Sequence, residues 1–203
     1  MATEPEKVAP PTEAPVAEPE KAAPPPTARP TDYFEVADVV LRLLVFASAL
    51  VSVVLMSTSK QTEIVPIPIP PYQAPRSAKF NHSPALIYFV AAHSVAGFFS
   101  IITTLGSLYS LIKPGCSAKI ISHFIVIDVL LLGIVASATG AAASVTYIGL
   151  KGNTHSGWGK ICSLYDKFCR YLGASVGVSL FATIMLVLLV LLSVYSLSKK
   201  IPK

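Results

Sequence analysis

Two charged side chains stand alone inside long apolar runs: Arg42 in VVLRLLVF and Asp128 in IVIDVLLL. A charge placed in hydrocarbon costs at least ~2.5–3.5 kcal/mol on insertion scales, so each needs a partner or an escape route. Opposite sign makes the two natural partners, because Asp38 lies nearer the end of its run. The alternative is that Arg42 reaches alone to the headgroups and Asp128 is protonated. A proton relay has little to work with, since Asp128 is the sole carboxylate deep in its apolar run. His93 and His123 lie in or near apolar runs as well. A metal site needs several converging ligands, and no spacing here supplies them, so both read as hydrogen-bonded packing residues. Cys162 and Cys169 stand close together between two apolar runs and form a disulfide if that loop faces an oxidising compartment; two free thiols are the alternative. Cys116 stands apart in another short loop. Asn81-His82-Ser83 is formally a glycosylation sequon, but Pro84 follows it directly and the next apolar run begins there, so it is a weak candidate. The loops hold no Ser/His/Asp arrangement, no glycine-rich phosphate loop and no paired carboxylates. No catalytic residue, cofactor or metal site is assigned.

These residues must be positioned by four apolar stretches, at about 37–57, 84–112, 118–150 and 172–197. A helix rises ~1.5 Å per residue and the hydrocarbon core is ~30 Å thick, so ~20 residues suffice for a crossing. The fold class expected is all-α: a four-helix transmembrane bundle, with membrane lipid as its solvent. The chain is 53% hydrophobic and 13% charged, with charges gathered in tails and loops. The net charge of +5 includes no long Lys/Arg run, which argues against nucleic acid as a partner.

Residues 1–31 are rich in Pro, Ala and Glu and read as a disordered cytoplasmic tail. They contain no short apolar core of a cleavable signal peptide, so the first helix would direct insertion. Residues 32–198 form the membrane domain, and 199–203 a short tail. The loop after the first helix holds IVPIPIPPYQAP, whose prolines exclude a regular helix and suggest an extended, flexible connection. Lys113-Pro114-Gly115-Cys116-Ser117 forces an antiparallel turn. Four crossings put both termini on one side. Basic residues are divided too evenly for the positive-inside rule to decide which side; the acidic tail and the cysteine pair favour cytoplasmic termini. Small residues form stripes: Gly133, Ala136, Ser137, Gly140 and Ser144 on one face of the third helix, and Gly173 and Gly177 as a GxxxG pattern in the fourth. The third helix would then bury two faces, one charged and one small. The GxxxG pattern would serve contact inside the bundle or between copies.

VLRLLVF around Arg42, IDVLLLGIVASATGAAASVTYIGLKGN around Asp128 and GWGKICSLYDKFCRYLG around Cys162 and Cys169 together resemble the Casparian strip membrane domain protein-like (CASP-like) family of plants, which is related to the MARVEL four-helix proteins. The resemblance runs from residue 32 to the C-terminus. It implies a multi-pass plasma-membrane protein with cytoplasmic termini that forms homodimers or higher homo-oligomers and hetero-oligomers with its relatives. Strip-forming members build a scaffold that excludes other membrane proteins and guides local wall lignification, so wall-modifying enzymes are possible partners. IVPIPIPPYQAPRSAKFNHSP differs from the short first outer loop of those members and places the chain nearer the broader CASP-like group. The expected function is a non-enzymatic scaffold that organises membrane subdomains or local wall modification. The alternative is a small channel or transporter, for which broken helices would be expected; here the apolar runs are continuous.

Overall fold

The computed structural model describes residues 30–112 and 118–200. The N-terminal tail, the Pro114-Gly115 turn with Cys116, and the last three residues lie outside the described residues. Four helices make up the bundle: α1 (Pro30–Thr58), α2 (Pro84–Ile112), α3 (Ala118–Lys151) and α4 (Asp166–Lys200). Each contains an apolar span of 23 to 34 residues. At ~1.5 Å per residue the shortest reaches about 35 Å, enough to cross ~30 Å of hydrocarbon.

Local chemistry sets several helix ends. Pro84 opens α2, where a missing N–H costs nothing. The Ser83 carbonyl accepts from the Leu86 and Ile87 amides at 3.0 and 3.1 Å. Gly152 closes α3 with φ +71° and returns its N–H to the Ile148 carbonyl at 2.7 Å, a left-handed cap that favours glycine. Two helices start earlier than apolarity suggests. Helix α1 begins at Pro30 rather than 37, and α4 at Asp166 rather than 172. The extra turns carry charged residues, Asp32 and Glu35 in one and Asp166, Lys167 and Arg170 in the other, which interrupt the apolar run before the helix ends. Asp166 lies in the first turn of α4, where a carboxylate suits the positive end of the helix dipole.

The connection between α1 and α2 corrects an expectation. It is an antiparallel hairpin of β1 (Lys60–Pro66) and β2 (Gln73–Lys79), in register from Lys60↔Lys79 to Pro66↔Gln73. Prolines that exclude a helix do not exclude a two-stranded ribbon, in which both strands are edges.

Helix α1 packs on α2 and α4, and α3 packs on α4 and α2. The ring order is α1–α2–α3–α4, which sets α1 diagonally opposite α3. Two apolar clusters fill the interior. One joins Met56, Leu86, Phe89 and Ala142 to Phe168, Leu172 and Val176 near the loop end; the other joins Val45, Ala96, Leu131, Val135, Leu186 and Leu189. Large apolar side chains such as Leu50, Phe98, Leu105, Leu130, Ile184 and Leu191 point outward. An apolar outer surface of this kind suits lipid as its solvent. Buried serines and threonines instead face inward on all four helices, where hydrogen bonds and close packing hold transmembrane helices together.

Candidate functional site

Arg42 is at the centre of the bundle's polar interior. It is 2% exposed, and Asp128 is 1% exposed. From α1 its Nη1 donates to Asp128 Oδ1 at 3.0 Å and its Nη2 to Asp128 Oδ2 at 2.8 Å, a bidentate fork across the bundle diagonal. Nε donates to Asp38 Oδ2, one turn earlier on α1, at 2.9 Å. That same oxygen accepts from Ser107 Oγ of α2 at 2.7 Å. One cation thus binds two carboxylates and ties α1, α2 and α3. The Phe124 ring, one turn before Asp128, lies 5.9 Å from the guanidinium carbon. Asp38 lies nearer the end of its apolar run than Arg42, yet it joins the cluster. The signal for it was there: i and i+4 are neighbours on one helix face.

Two further polar links lie along the interior. His93 of α2 is 1% exposed, with Nδ1 2.9 Å from the Phe89 carbonyl and Nε2 2.7 Å from Ser179 Oγ of α4. A carbonyl only accepts, so Nδ1 carries a proton. Ser179 Oγ also meets Thr139 Oγ1 of α3, which donates to the Val135 carbonyl at 2.7 Å. Ser52 of α1 and Ser175 of α4 exchange bonds: Ser175 Oγ donates to the Ser52 carbonyl at 2.8 Å, and Ser52 Oγ to the Ser175 carbonyl at 3.5 Å. Among the described residues no buried side-chain nitrogen or oxygen lacks a partner. These links belong to all four helices and to three successive depths. Their chemistry is cohesion. Among the described residues no three His, Cys, Asp or Glu side chains gather as metal ligands, and His123 is exposed.

A cap covers one end of the bundle. Cys162 and Cys169 are joined by a disulfide, with Cα atoms 5.6 Å apart. Cys169 lies on the first turns of α4 and Cys162 on the chain entering it. The hairpin is clasped to this segment: the Phe168 amide donates to Gln61 Oε1 at 2.9 Å, and Tyr165 Oη donates to the Arg76 carbonyl at 3.0 Å. Asn81 is exposed on the short 3₁₀ turn Phe80–His82, immediately before α2.

The small-residue stripes are not where close packing occurs. Gly133, Gly140, Gly173 and Gly177 are all exposed, and a Cβ on any of them would meet nothing within 4 Å. The expected second buried face of α3 is therefore an outer one. The buried face of α3 is carried by Leu131, Val135, Ala138, Thr139 and Ala142, and that of α4 by Leu172, Ser175, Val176 and Ser179. Ser137 does reach across at the surface, where its Oγ is 2.9 Å from Tyr88 Oη of α2. Close approach occurs instead at Gly106 of α2, where a Cβ would collide with the Phe124 ring. Nothing in the local sequence around Gly106 marked it.

Residues 31–185 match the family model described as "Casparian strip membrane protein domain". The chain is 54% identical over 194 residues to "CASP-like protein IN26" of Ipomoea nil, covering 94% of this chain and 100% of that protein. It is 62% identical over 148 residues to "CASP-like protein 1" of Panax ginseng, covering 73% and 100%. It is 54% identical over 165 residues to "CASP-like protein 1D1" of Populus trichocarpa, covering 81% and 84%. No solved structure matches the chain. The matched segment contains all but the first residue of α1, the whole of α2 and α3, the disulfide cap and the polar interior just described, and on the strength of these matches the chain belongs to the Casparian strip membrane protein domain family of plant CASP-like proteins.

Proposed function

We propose that this protein is a non-enzymatic, multi-pass scaffold of the plasma membrane. In this reading it associates laterally with itself and its relatives, and organises a membrane subdomain or local wall modification. Its termini face the cytoplasm, and the disulfide cap faces the oxidising side. The observation that carries the reading is the outward placement of Gly133, Gly140, Gly173 and Gly177 with open space above each. Small residues on a lipid-facing surface let a second backbone approach closely, the arrangement by which membrane helices associate without a hydrophobic driving force. The inward polar groups support the same role from the other direction. They bond one another across the bundle, which holds each copy as a rigid unit for lateral assembly. A fluorescent copy expressed at native level tests the reading. Confined patches in the plasma membrane are the expected result, and even labelling of the surface would remove the subdomain role.

A further inference from the structure

The molecule's formal net charge sits at one end. The hairpin contributes Lys60, Arg76 and Lys79. The end of α3, the second loop and the start of α4 contribute Lys151, Lys160, Lys167 and Arg170. All seven are exposed, and the cap carries only two carboxylates, Glu63 and Asp166. The chain has 16 basic and 11 acidic residues, so the nine of each sign elsewhere cancel. The entire formal net charge of +5 therefore belongs to the cap. Lys and Arg themselves divide nearly evenly, seven on the cap and nine elsewhere, so the excess arises because the cap carries so few carboxylates. The cap is also the end that carries the disulfide.

Two further features share the cap. A cavity of about 330 Å³ opens beside the disulfide, lined by Leu150, Lys160, Ser163, Asp166 and Arg170. Two residues before Lys160, Trp158 is 58% exposed. It is held on a short closed turn rather than a free loop. Its N–H and carbonyl both bond Asn153 at 2.9 Å, Asn153 Oδ1 accepts from the His155 and Ser156 amides, and Gly157 takes φ +69°. A large flat apolar ring kept in the open by its own backbone, next to cations, matches a ligand with an apolar ring face and carboxylates on its edge.

We propose that the cap is a binding surface for an acidic polysaccharide, a polymer of uronic-acid sugars. Trp158 packs on the C–H face of one sugar ring. Lys160 and Arg170 take a carboxylate at the cavity, and the other cations follow the chain. A polyanion releases counterions when such cations neutralise it, so binding must weaken as salt rises, as it does for nucleic acids. Anionic lipid headgroups share the charge, but their leaflet is the cytoplasmic one. The inference uses the orientation proposed above and is independent of self-association.

The test uses the full chain in phosphatidylcholine nanodiscs, with short polygalacturonate as the probe and a neutral glucan as its control. Nanodiscs expose both ends, so binding is read whatever the orientation in cells, and thiol labelling of intact cells reads the orientation separately. The expected result is binding to polygalacturonate alone, falling about tenfold or more between 50 and 200 mM salt. Lys160→Glu with Arg170→Glu should weaken it at least about tenfold, and Trp158→Ala similarly, with Trp158→Phe largely retained. These side chains are exposed, and closure of the Cys162–Cys169 disulfide reports that the variants fold. Equal binding to the neutral glucan, or binding unchanged in the charge-reversed variant, would overturn the proposal. So would binding of phosphatidylserine vesicles without binding of polygalacturonate, or an unaltered Trp158→Ala.

Discussion

Arg42 gives three donors to two carboxylates, so each truncation leaves a different remainder. Arg42→Ala leaves Asp38 and Asp128 without their cation. Asp128→Ala leaves Arg42 with Asp38 alone. Breaking a buried pair by removing one partner typically costs ~3–5 kcal/mol, and either change should cut surface delivery and lower the unfolding temperature in detergent. Asp128→Asn should be milder, because its amide oxygen still accepts from Arg42. Exchanging the pair, Arg42→Asp with Asp128→Arg, should recover only part of the loss. The new carboxylate at 42 then stands one turn from Asp38, a repulsion the helix spacing enforces. Adding Asp38→Asn should recover more; if it does not, Asp38 is no part of the cluster. Gly106→Leu should destabilise the bundle through Phe124, and Phe124→Leu in the same chain should relieve it; unchanged stability in Gly106→Leu would contradict the close approach. At this scale the sequence was legible where a residue type is rare in its surroundings. Two opposite charges in apolar runs have few possible partners. Ser179, which His93 meets, and Thr139, which Ser179 meets, were not legible, because hydroxyls occur on every face of these helices and their carbonyl bonds look alike in any sequence. Glycines misled for a related reason: a stripe of small residues gives a helix face, not what lies against it.

The elements that hold the cap meet through few bonds, and each can be removed singly. Tyr165→Phe deletes the bond to the Arg76 carbonyl, and Gln61→Ala deletes the one to the Phe168 amide. Each should cost about 1 kcal/mol and speed hydrogen exchange of the hairpin amides relative to α1 and α4. Equal exchange in wild type and both variants would mean the hairpin stands without its clasp. Thiol reagents applied to intact cells should label Cys162 and Cys169 only after reduction; ready labelling beforehand would contradict the disulfide. The four helices were readable from apolar length, which is what a bilayer selects. Their polar ends and the hairpin were not. The first turns of α1 and α4 extend past the apolar runs, and β1 alternates in burial but not in polarity, since its half-buried positions include Gln61 and Glu63, so no period-2 apolar pattern marks the strand.

For the whole molecule, the decisive contrast is between an interior whose polar groups bond one another and an exterior that leaves small residues open. A conducting path needs polar lining free to meet water or ions, whereas Arg42, His93 and Ser175 are engaged across the bundle. Purified protein in liposomes should therefore carry no flux above empty vesicles, and a saturable flux would move the protein to the channel class. The most direct measurement of the scaffold role is cross-linking in native membranes at native expression. Wild type should give a ladder of dimers and higher species, and Gly173→Leu with Gly177→Leu should shift it towards monomer while the Cys162–Cys169 disulfide still forms. A wild-type protein that remains strictly monomeric under the same conditions would contradict the scaffold.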